Sequence, residues 1–397
     1  MALGSENKRL QFWDACLHGE SLFFSARNFN GLFCAEKGRA VAEFIGHFPE
    51  EVIWKKNLHN QIISINDKLY FIPFQGTGIS IFDTVSREFS YINLGEKLPV
   101  EISKAFVNGD DIFMVPLDLK KPFIVFHTVS NTYEVKWELQ KKILKQFSRK
   151  QEIRFGGYGS CAKEQKIYLT ICDTNAVLSL DLNSQQIDIY KLPAEYKLRN
   201  IYYDRGKFYF TLSDQCKIIC WDIDTENYFE YIIENRLNDI FHPYMTVLRW
   251  RERLLLLPDQ TDRIWELDEE KGVWCMKPDY IPNEFRRTRK NVSLFLGYQY
   301  KGDNLLLLPW AGNGMISLSP DKCKCYEICY SSKIDGLVRK IQKQFVDNQR
   351  TQNIPIYENV EECMDIKSVI FALNSTCKTE SKKQSNEAGN RIWGVFK

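Results

Sequence analysis

The sequence predicts an all-β fold, a seven-bladed β-propeller of four-stranded antiparallel blades with a C-terminal helical tail. Three observations predict it. One motif recurs seven times, its copies follow one another at steps of 41 to 55 residues, and the apolar runs inside each copy are too short to be helices.

The copies read SLFFSARNFNGLFCAEKG from Ser21, KLYFIPFQGTGISIFDTVS from Lys68, DIFMVPLDLKKPFIVFHTVS from Asp111 and KIYLTICDTNAVLSLDLNS from Lys166, then KFYFTLSDQCKIICWDIDT from Lys207, RLLLLPDQTDRIWELDEEK from Arg253 and NLLLLPWAGNGMISLSPDK from Asn304. Their second residues are Leu22, Leu69, Ile112, Ile167, Phe208, Leu254 and Leu305, giving steps of 47, 43, 55, 41, 46 and 51 residues. Steps of that size match four short strands per unit. Runs rich in Ile, Val, Leu, Phe, Tyr and Trp, broken by Gly, Asn, Asp or Pro, carry strand and turn chemistry and no 3.6-residue period. Radial stacking of seven small twisted sheets then buries both faces of each. One repeat array is expected over residues 1–330 and a helical or irregular tail over 331–397.

The fifth copy shows the expected unit. An inner strand near Asn200-Tyr203 turns at Asp204-Arg205-Gly206 into Phe208-Leu212. A break at Ser213-Gln215 leads to Lys217-Trp221, and a hairpin at Asp224-Asn227 leads to the outer strand Tyr228-Ile232. The Asp222 that closes the third strand recurs as Asp83, Asp181 and Asp268, while Glu36, His127 and Ser319 stand there in other units. An Asp at such a position caps the backbone of the following turn.

This sequence of buried strand, break, Ile-x-x-(Phe/Trp/Leu)-Asp strand and polar turn, over residues from about 10 to 330, resembles the YVTN or quinoprotein-like β-propeller group. It resembles WD-repeat and Kelch propellers more distantly. The WD dipeptide occurs in one unit as Trp221-Asp222, and the paired glycines of Kelch once, as Gly156-Gly157. The resemblance implies an architecture shared by scaffolds, ligand sensors, lyases and cofactor enzymes, so function has to be argued from the site.

Four second strands end in proline, at Pro73, Pro116, Pro258 and Pro309, with Ala26, Cys172 and Ser213 in the other units. Proline lacks the N–H for a ladder bond and should end pairing where the chain leaves the sheet. The loops that follow share a face with the connections from one blade to the next, and loops on one face are where propellers bind. Basic residues gather there: Lys120 and Lys121 in a break, Lys55 and Lys56 in one connection, Lys141, Lys142 and Lys145 in a second, and Arg286, Arg287 and Arg289 in a third. Phe147, Tyr280, Phe285 and Trp310 offer stacking surface beside them. We therefore expect Lys120, Lys121, Lys141, Lys142, Arg286, Arg287, Arg289 and Trp310 to bind a protein partner or a small polar or acidic ligand. Acidic residues on the same breaks, Asp118, Asp173, Asp214, Asp259 and Asp262, dilute this patch.

Composition narrows the partners. The 53 basic and 51 acidic residues leave a formal charge of +2, which argues against nucleic acid. No run approaches 18 uninterrupted apolar residues and the first 20 lack an apolar core, so a cytoplasmic location without membrane is expected. Most of the 12 cysteines fall in strand patterns, as small hydrophobes of a reducing compartment. No feature specifies an oligomeric state.

Catalytic signatures are sparse. The five histidines, His18, His47, His59, His127 and His242, form no metal-hydrolase pair, and there is neither a nucleophile elbow nor a phosphate-binding loop. No metal and no cofactor are expected. Cys323, Cys325 and Cys329 share parity on an expected outer strand but lack a fourth ligand. The run Gly156-Gly157-Tyr158-Gly159-Ser160 falls on an inner strand, where small residues let blades approach the axis. The alternative to a binding propeller is a lyase- or hydrolase-like enzyme acting on a carbohydrate or other small polar substrate at the central channel. Asp14, His18, His59, Asn108 and Arg249 are its candidate residues.

After Tyr330 the pattern changes. Ile334, Leu337, Val338, Ile341 and Phe345 mark an amphipathic helix with Ser331 or Ser332 as N-cap. A second apolar segment spans about 360–373, a polar one 379–390, and residues 391–396 could add as a strand. Two roles are open to this tail, a clamp on the seam of the ring or a partner-binding helix, and the clamp is expected because an exposed apolar helix face is costly.

Overall fold

In the computed structural model the described residues are 7–36, 41–95, 100–147, 153–233, 242–261, 263–277, 280–281, 293–309, 314–319 and 323–351. They form seven four-stranded antiparallel sheets, each built from consecutive strands. The inner strands are Phe12–His18, His59–Ile65, Ile102–Asn108, Phe155–Lys163, Leu198–Asp204, Tyr244–Trp250 and Phe295–Lys301, one for each of blades 1 to 7. The chain is a seven-bladed β-propeller.

Burial explains the repeat. The second strand of each of blades 1 to 6 is buried at every position after its first, because it lies mid-sheet with a neighbouring blade on either face. A strand covered on both faces reads as a continuous apolar run, which is why LYFIP, FYFTL and LLLLP do not alternate. Outer strands have only one protected face, and Thr132–Lys136 and Tyr228–Ile232 are mostly exposed. The core lies between blades. Tyr70, Ile72 and Ile81 of blade 2 pack against Ile102, Ile112 and Met114 of blade 3, and the other clusters likewise draw on adjacent blades.

The third-strand aspartates act as turn caps. Asp83 accepts from the backbone N–H groups of Val85 and Ser86 at 3.0 and 2.9 Å, Asp181 from those of Asn183 and Ser184 at 3.0 and 2.8 Å, and Asp222 from those of Asp224 and Thr225 at 3.0 and 3.2 Å. These bonds favour the ionised form and hold the Asp83 and Asp181 carboxyls below the usual range.

Each blade owns its four strands, and the seam is secured separately. Asn7–Arg9 pairs antiparallel with Cys329–Ser331, joining the chain before blade 1 to the chain after blade 7. Ala42 donates to the Cys329 carbonyl at 2.7 Å, and the Tyr330 ring lies 5.8 and 5.3 Å from Phe29 and Phe33 of blade 1. Cys329 thus belongs to this ribbon and not to the outer strand with Cys323 and Cys325, so the expected shared face of three thiols does not form.

Met1–Val338 form one compact unit and Arg339–Lys397 another. The helix Ser332–Thr351 begins in the first, where Lys333 N–H donates to Ser331 Oγ at 3.4 Å and Val338 is buried. The expected segments 360–373, 379–390 and 391–396 lie outside the described residues. No helix among the described residues is long and apolar enough to cross a membrane.

Candidate functional site: the central cavity

Every inner strand is irregular near its first residues, on the face where second strands end. In blade 3, Ile102 pairs with Pro116 but Lys104 with Val115, so two steps on the inner strand match one on its partner. Blades 2, 5, 6 and 7 do the same, and blade 1 matches three steps to two. Such bulges bend the strand and re-aim its side chains. Blade 4 departs furthest: Phe155 pairs with Ile171 and Ser160 with Leu169, five steps against two, so three residues are extra. The Gly-Gly-Tyr-Gly run is therefore a wide bulge, more than the close approach expected of small residues.

That bulge carries Tyr158 across the axis. Its hydroxyl donates to the Leu296 carbonyl of blade 7 at 2.7 Å, and its ring stacks on Tyr298 at 6.1 Å and 26°. Two glycines make room for this. A Cβ on Gly297 would stand 2.8 Å from the Tyr158 hydroxyl, and one on Gly159 would stand 2.6 Å from Thr170 Oγ1 and 3.1 Å from the Arg199 carbonyl. Gly157 differs. Its φ is outside the left-handed region, and an added Cβ would meet only the Ser103 carbonyl, at 3.8 Å.

All seven inner strands line a cavity of about 640 Å³. They contribute one carboxylate and two cations to it among the described residues, Asp14 from blade 1, Lys104 from blade 3 and Arg199 from blade 5, and Asp259, just past the second strand of blade 6, adds a second carboxylate to the lining. Asp14 is occupied: its oxygens accept from the N–H groups of Ala15 and Ile62, each at 2.9 Å, and from Gln299 Nε2 at 3.2 Å. Burial pushes its carboxyl up, with those bonds and Lys104 pulling the other way. Lys104 is pushed down by burial and held up by Asp14, and its ammonium lies 5.9 Å from the Tyr158 ring centre. Among the described residues neither Lys104 nor Arg199 forms an ion pair within contact distance. Arg199 reaches the Cys172 thiol, and together with burial it holds the His242 imidazole below the usual range. Neighbouring polar side chains mostly bind backbone: Gln61 exchanges two hydrogen bonds with Ala105, and Asn60 donates to the Ile102 carbonyl at 2.6 Å.

The mouth has two unlike sides. Across blades 1 and 2, the Arg27 guanidinium lies 4.5 Å over the Trp13 ring, Trp13 Nε1 donates to Asn57 Oδ1 at 3.0 Å, and Phe74 stands 6.3 Å from Trp13. Across blades 4 and 5, Ser213 donates to Asp173, and Lys197 pairs with Asp214 at 2.7 Å.

The residues expected from the sequence are distributed as follows. Of the five channel candidates only Asp14 lines the cavity. His59 is buried between blades, bonded to Ser25 and Ser80 at 2.9 and 3.3 Å, and burial lowers its pKa to about 3. His18 bonds Ser64 and Thr84 at 3.0 and 3.2 Å, and Asn108 donates to Asn183 at 3.3 Å, both at the far ends of their strands. Arg249 is held there by Asp204 and Glu269 at 2.6 and 2.7 Å.

The basic rim is partly helical. Trp137–Leu144 form helix α1, which buries Leu139, Gln140 and Ile143 and turns Lys141 and Lys142 to solvent, Lys141 pairing with Glu138 at 2.6 Å. Gln140 donates to the Leu119 carbonyl at 2.5 Å, which brings this helix to the break that carries Lys120 and Lys121. None of these four lysines lines the cavity. Arg286, Arg287, Arg289 and Trp310 lie outside the described residues.

Sequence reasoning passed over Lys104 and Arg199. Both sit two or three residues into an inner strand, and only the bulges turn them to the axis. The local signal was a basic residue just after the start of an otherwise apolar strand.

Fold and site together define a seven-bladed propeller with a polar, aromatic-walled central cavity. Solved propellers share the fold at low identity. YCF48 bound to D1 peptide superposes with a TM-score of 0.58 at 11% identity, covering 80% of this chain and 95% of that one. The extracellular domain of the putative one-component system BT4673 from B. thetaiotaomicron gives 0.53 at 11%, over 79% and 40%. Selenomethionine-substituted virginiamycin B lyase from Staphylococcus aureus gives 0.51 at 10%, over 77% and 96%. No family model and no curated protein sequence match the chain.

Proposed function

We propose that this protein is a binding propeller, taking a small polar or acidic ligand, or the acidic side chain of a protein partner, into its central cavity from the loop face. The observation that carries this reading is the state of the cavity's charges. Its inner-strand carboxylate, Asp14, is committed to Ala15, Ile62 and Gln299, while Lys104 and Arg199 keep donors turned to the cavity without an ion-pair partner among the described residues. Lys104 and Arg199 are half-buried, and donors facing a cavity without matching acceptors gain most from a ligand that supplies them. YCF48 with its D1 peptide is a precedent for a propeller that receives a polypeptide.

One observation favours turnover as a second reading. Burial raises the Asp14 carboxyl and lowers the Lys104 ammonium toward neutrality, and groups displaced in this way serve acid–base chemistry. Native mass spectrometry of the gently purified protein separates the two. A co-purifying small molecule or peptide that is released unchanged supports binding, and one recovered in altered form after incubation supports the enzyme. A protein that carries nothing and gains no mass from a small-molecule library, or gains the same mass when Gly157→Val fills the cavity, overturns both.

A further inference from the structure

Resting on this binding reading, we infer that the recognised end of the ligand is an oxyanion, a carboxylate or phosphate, held by Lys104 and Arg199 against the Gly156-Gly157 backbone.

The placement follows from the blade order. Gly156 and Gly157 belong to blade 4, with Lys104 on blade 3 to one side and Arg199 on blade 5 to the other. The neighbours confirm this adjacency: Ser103 Oγ donates to the Gly156 carbonyl at 3.2 Å, a Cβ on Gly157 would face the Ser103 carbonyl, and one on Gly156 would lie 3.5 Å from Asn200 Oδ1. A glycine wall between two cations is thus part of one cavity surface.

Glycine at 157 has no evident duty in the fold. It does not occupy the left-handed region, where glycine escapes the Cβ penalty, and a Cβ there would meet nothing closer than the Ser103 carbonyl at 3.8 Å. Gly159 and Gly297 are different, since a Cβ on either would collide with Thr170 or Tyr158. What a side chain at Gly157 would consume is open cavity. Glycine in a strand also marks places where a ligand comes close to backbone, and a close approach between two cations suits an anion.

The cations suit it too. The guanidinium of Arg199 is a planar fork that matches an oxyanion with two parallel bonds, and Lys104 adds a compact charge. Asp14 and Asp259 oppose an anion, but the Asp14 oxygens are already bonded and its charge holds up Lys104, while Asp259 acts on His242. The Trp13 and Phe74 side of the mouth offers a flat apolar surface for the rest of the ligand.

Equilibrium binding of four one-ring probes tests this on the full-length protein: benzoate, phenyl phosphate, benzamidine and benzyl alcohol. Saturable binding of benzoate or phenyl phosphate is expected, at least tenfold weaker in Arg199→Gln and in Gly157→Val, with the tighter anion deciding between carboxylate and phosphate. Far-UV circular dichroism checks that each variant is folded, and Gly157→Ala replaces the valine if that chain fails. Gly157-dependent binding of benzamidine or benzyl alcohol in preference to the anions overturns the oxyanion and leaves the cavity reading standing. Anion binding that survives both substitutions also overturns it, as attachment elsewhere on the surface. No Gly157-dependent binding by any probe overturns the oxyanion and counts against the cavity reading itself.

Discussion

Arg199 and Arg249 stand on inner strands of adjacent blades, yet they live opposite lives. Arg249, at the far end of its strand, donates through Nη2 to Asp204 at 2.6 Å and through Nη1 to Glu269 and the Glu252 carbonyl at 2.7 and 2.9 Å. Its backbone is bonded to Tyr202 and Tyr300 as well. Arg199, at the mouth, has the Cys172 thiol for a polar neighbour and no carboxylate ion pair among the described residues. The same side chain therefore serves as a cross-blade strut at one end of the channel and as an uncommitted donor at the other. Sequence position alone does not distinguish them; Asp204 of the preceding blade and Glu269 of its own blade, both within reach of Arg249, do.

The largest effect should come from breaking the strut. Arg249→Met leaves Asp204, whose side chain is 11% exposed, without its cation, and we expect a loss of about 3 kcal/mol in urea unfolding. A loss below about 1 kcal/mol would mean that Asp204 finds water or another donor and that the two arginines are less different than their contacts suggest.

His59 extends the contrast to a group spent wholly inside the core. Its folded pKa of about 3 lies below the usual 6.5, so the unfolded chain takes up the proton first as pH falls. The stability that neutral His59 contributes is complete above 6.5 and is lost between 6.5 and 3. From pH 7 to pH 4 it should cost roughly 3 kcal/mol. Denaturant midpoints at the two pH values measure this, and His59→Gln should flatten that part of the slope.

The glycines form a smaller contrast. Gly297→Ala drives a Cβ toward the Tyr158 hydroxyl and should cost about 1–3 kcal/mol in thermal unfolding. Gly157→Ala, which meets only the Ser103 carbonyl at 3.8 Å, should leave stability within about 0.5 kcal/mol. Equal costs would remove the case that Gly157 is kept for something outside the fold. Smallest of all, Arg199→Gln should shift stability by less than about 0.5 kcal/mol, since no ion pair is lost, and its consequence should be confined to ligand binding.

Much of the fold was legible because it is written in local chemistry. The mid-sheet strands announce themselves as unbroken apolar runs, the prolines at 73, 116, 258 and 309 end second strands, and Asp83, Asp181 and Asp222 bond the turns they precede. Of the five channel candidates in the sequence, only Asp14 lines the cavity. His59 looked like a channel residue because it is a polar residue on an inner strand, but its strand position turns it between blades onto Phe48 and Phe71, at 4.6 and 5.4 Å. The lysines at 141 and 142 looked like loop charges, yet Leu139 and Ile143 pull that connection into a helix and leave the lysines outside.

The sequence by itself determined the number of blades, the strand order within each and the turns between them. All of these depend on neighbours a few residues apart and on a period repeated seven times. Only the tertiary structure decided which inner-strand side chains reach the axis, that Tyr158 crosses it, and that Lys104 and Arg199 flank one glycine wall. Those outcomes depend on bulges that shift side-chain parity and on acceptors supplied by the adjacent blade about 45 residues away, as from Asp204 to Arg249. Parity within one strand carries no record of either.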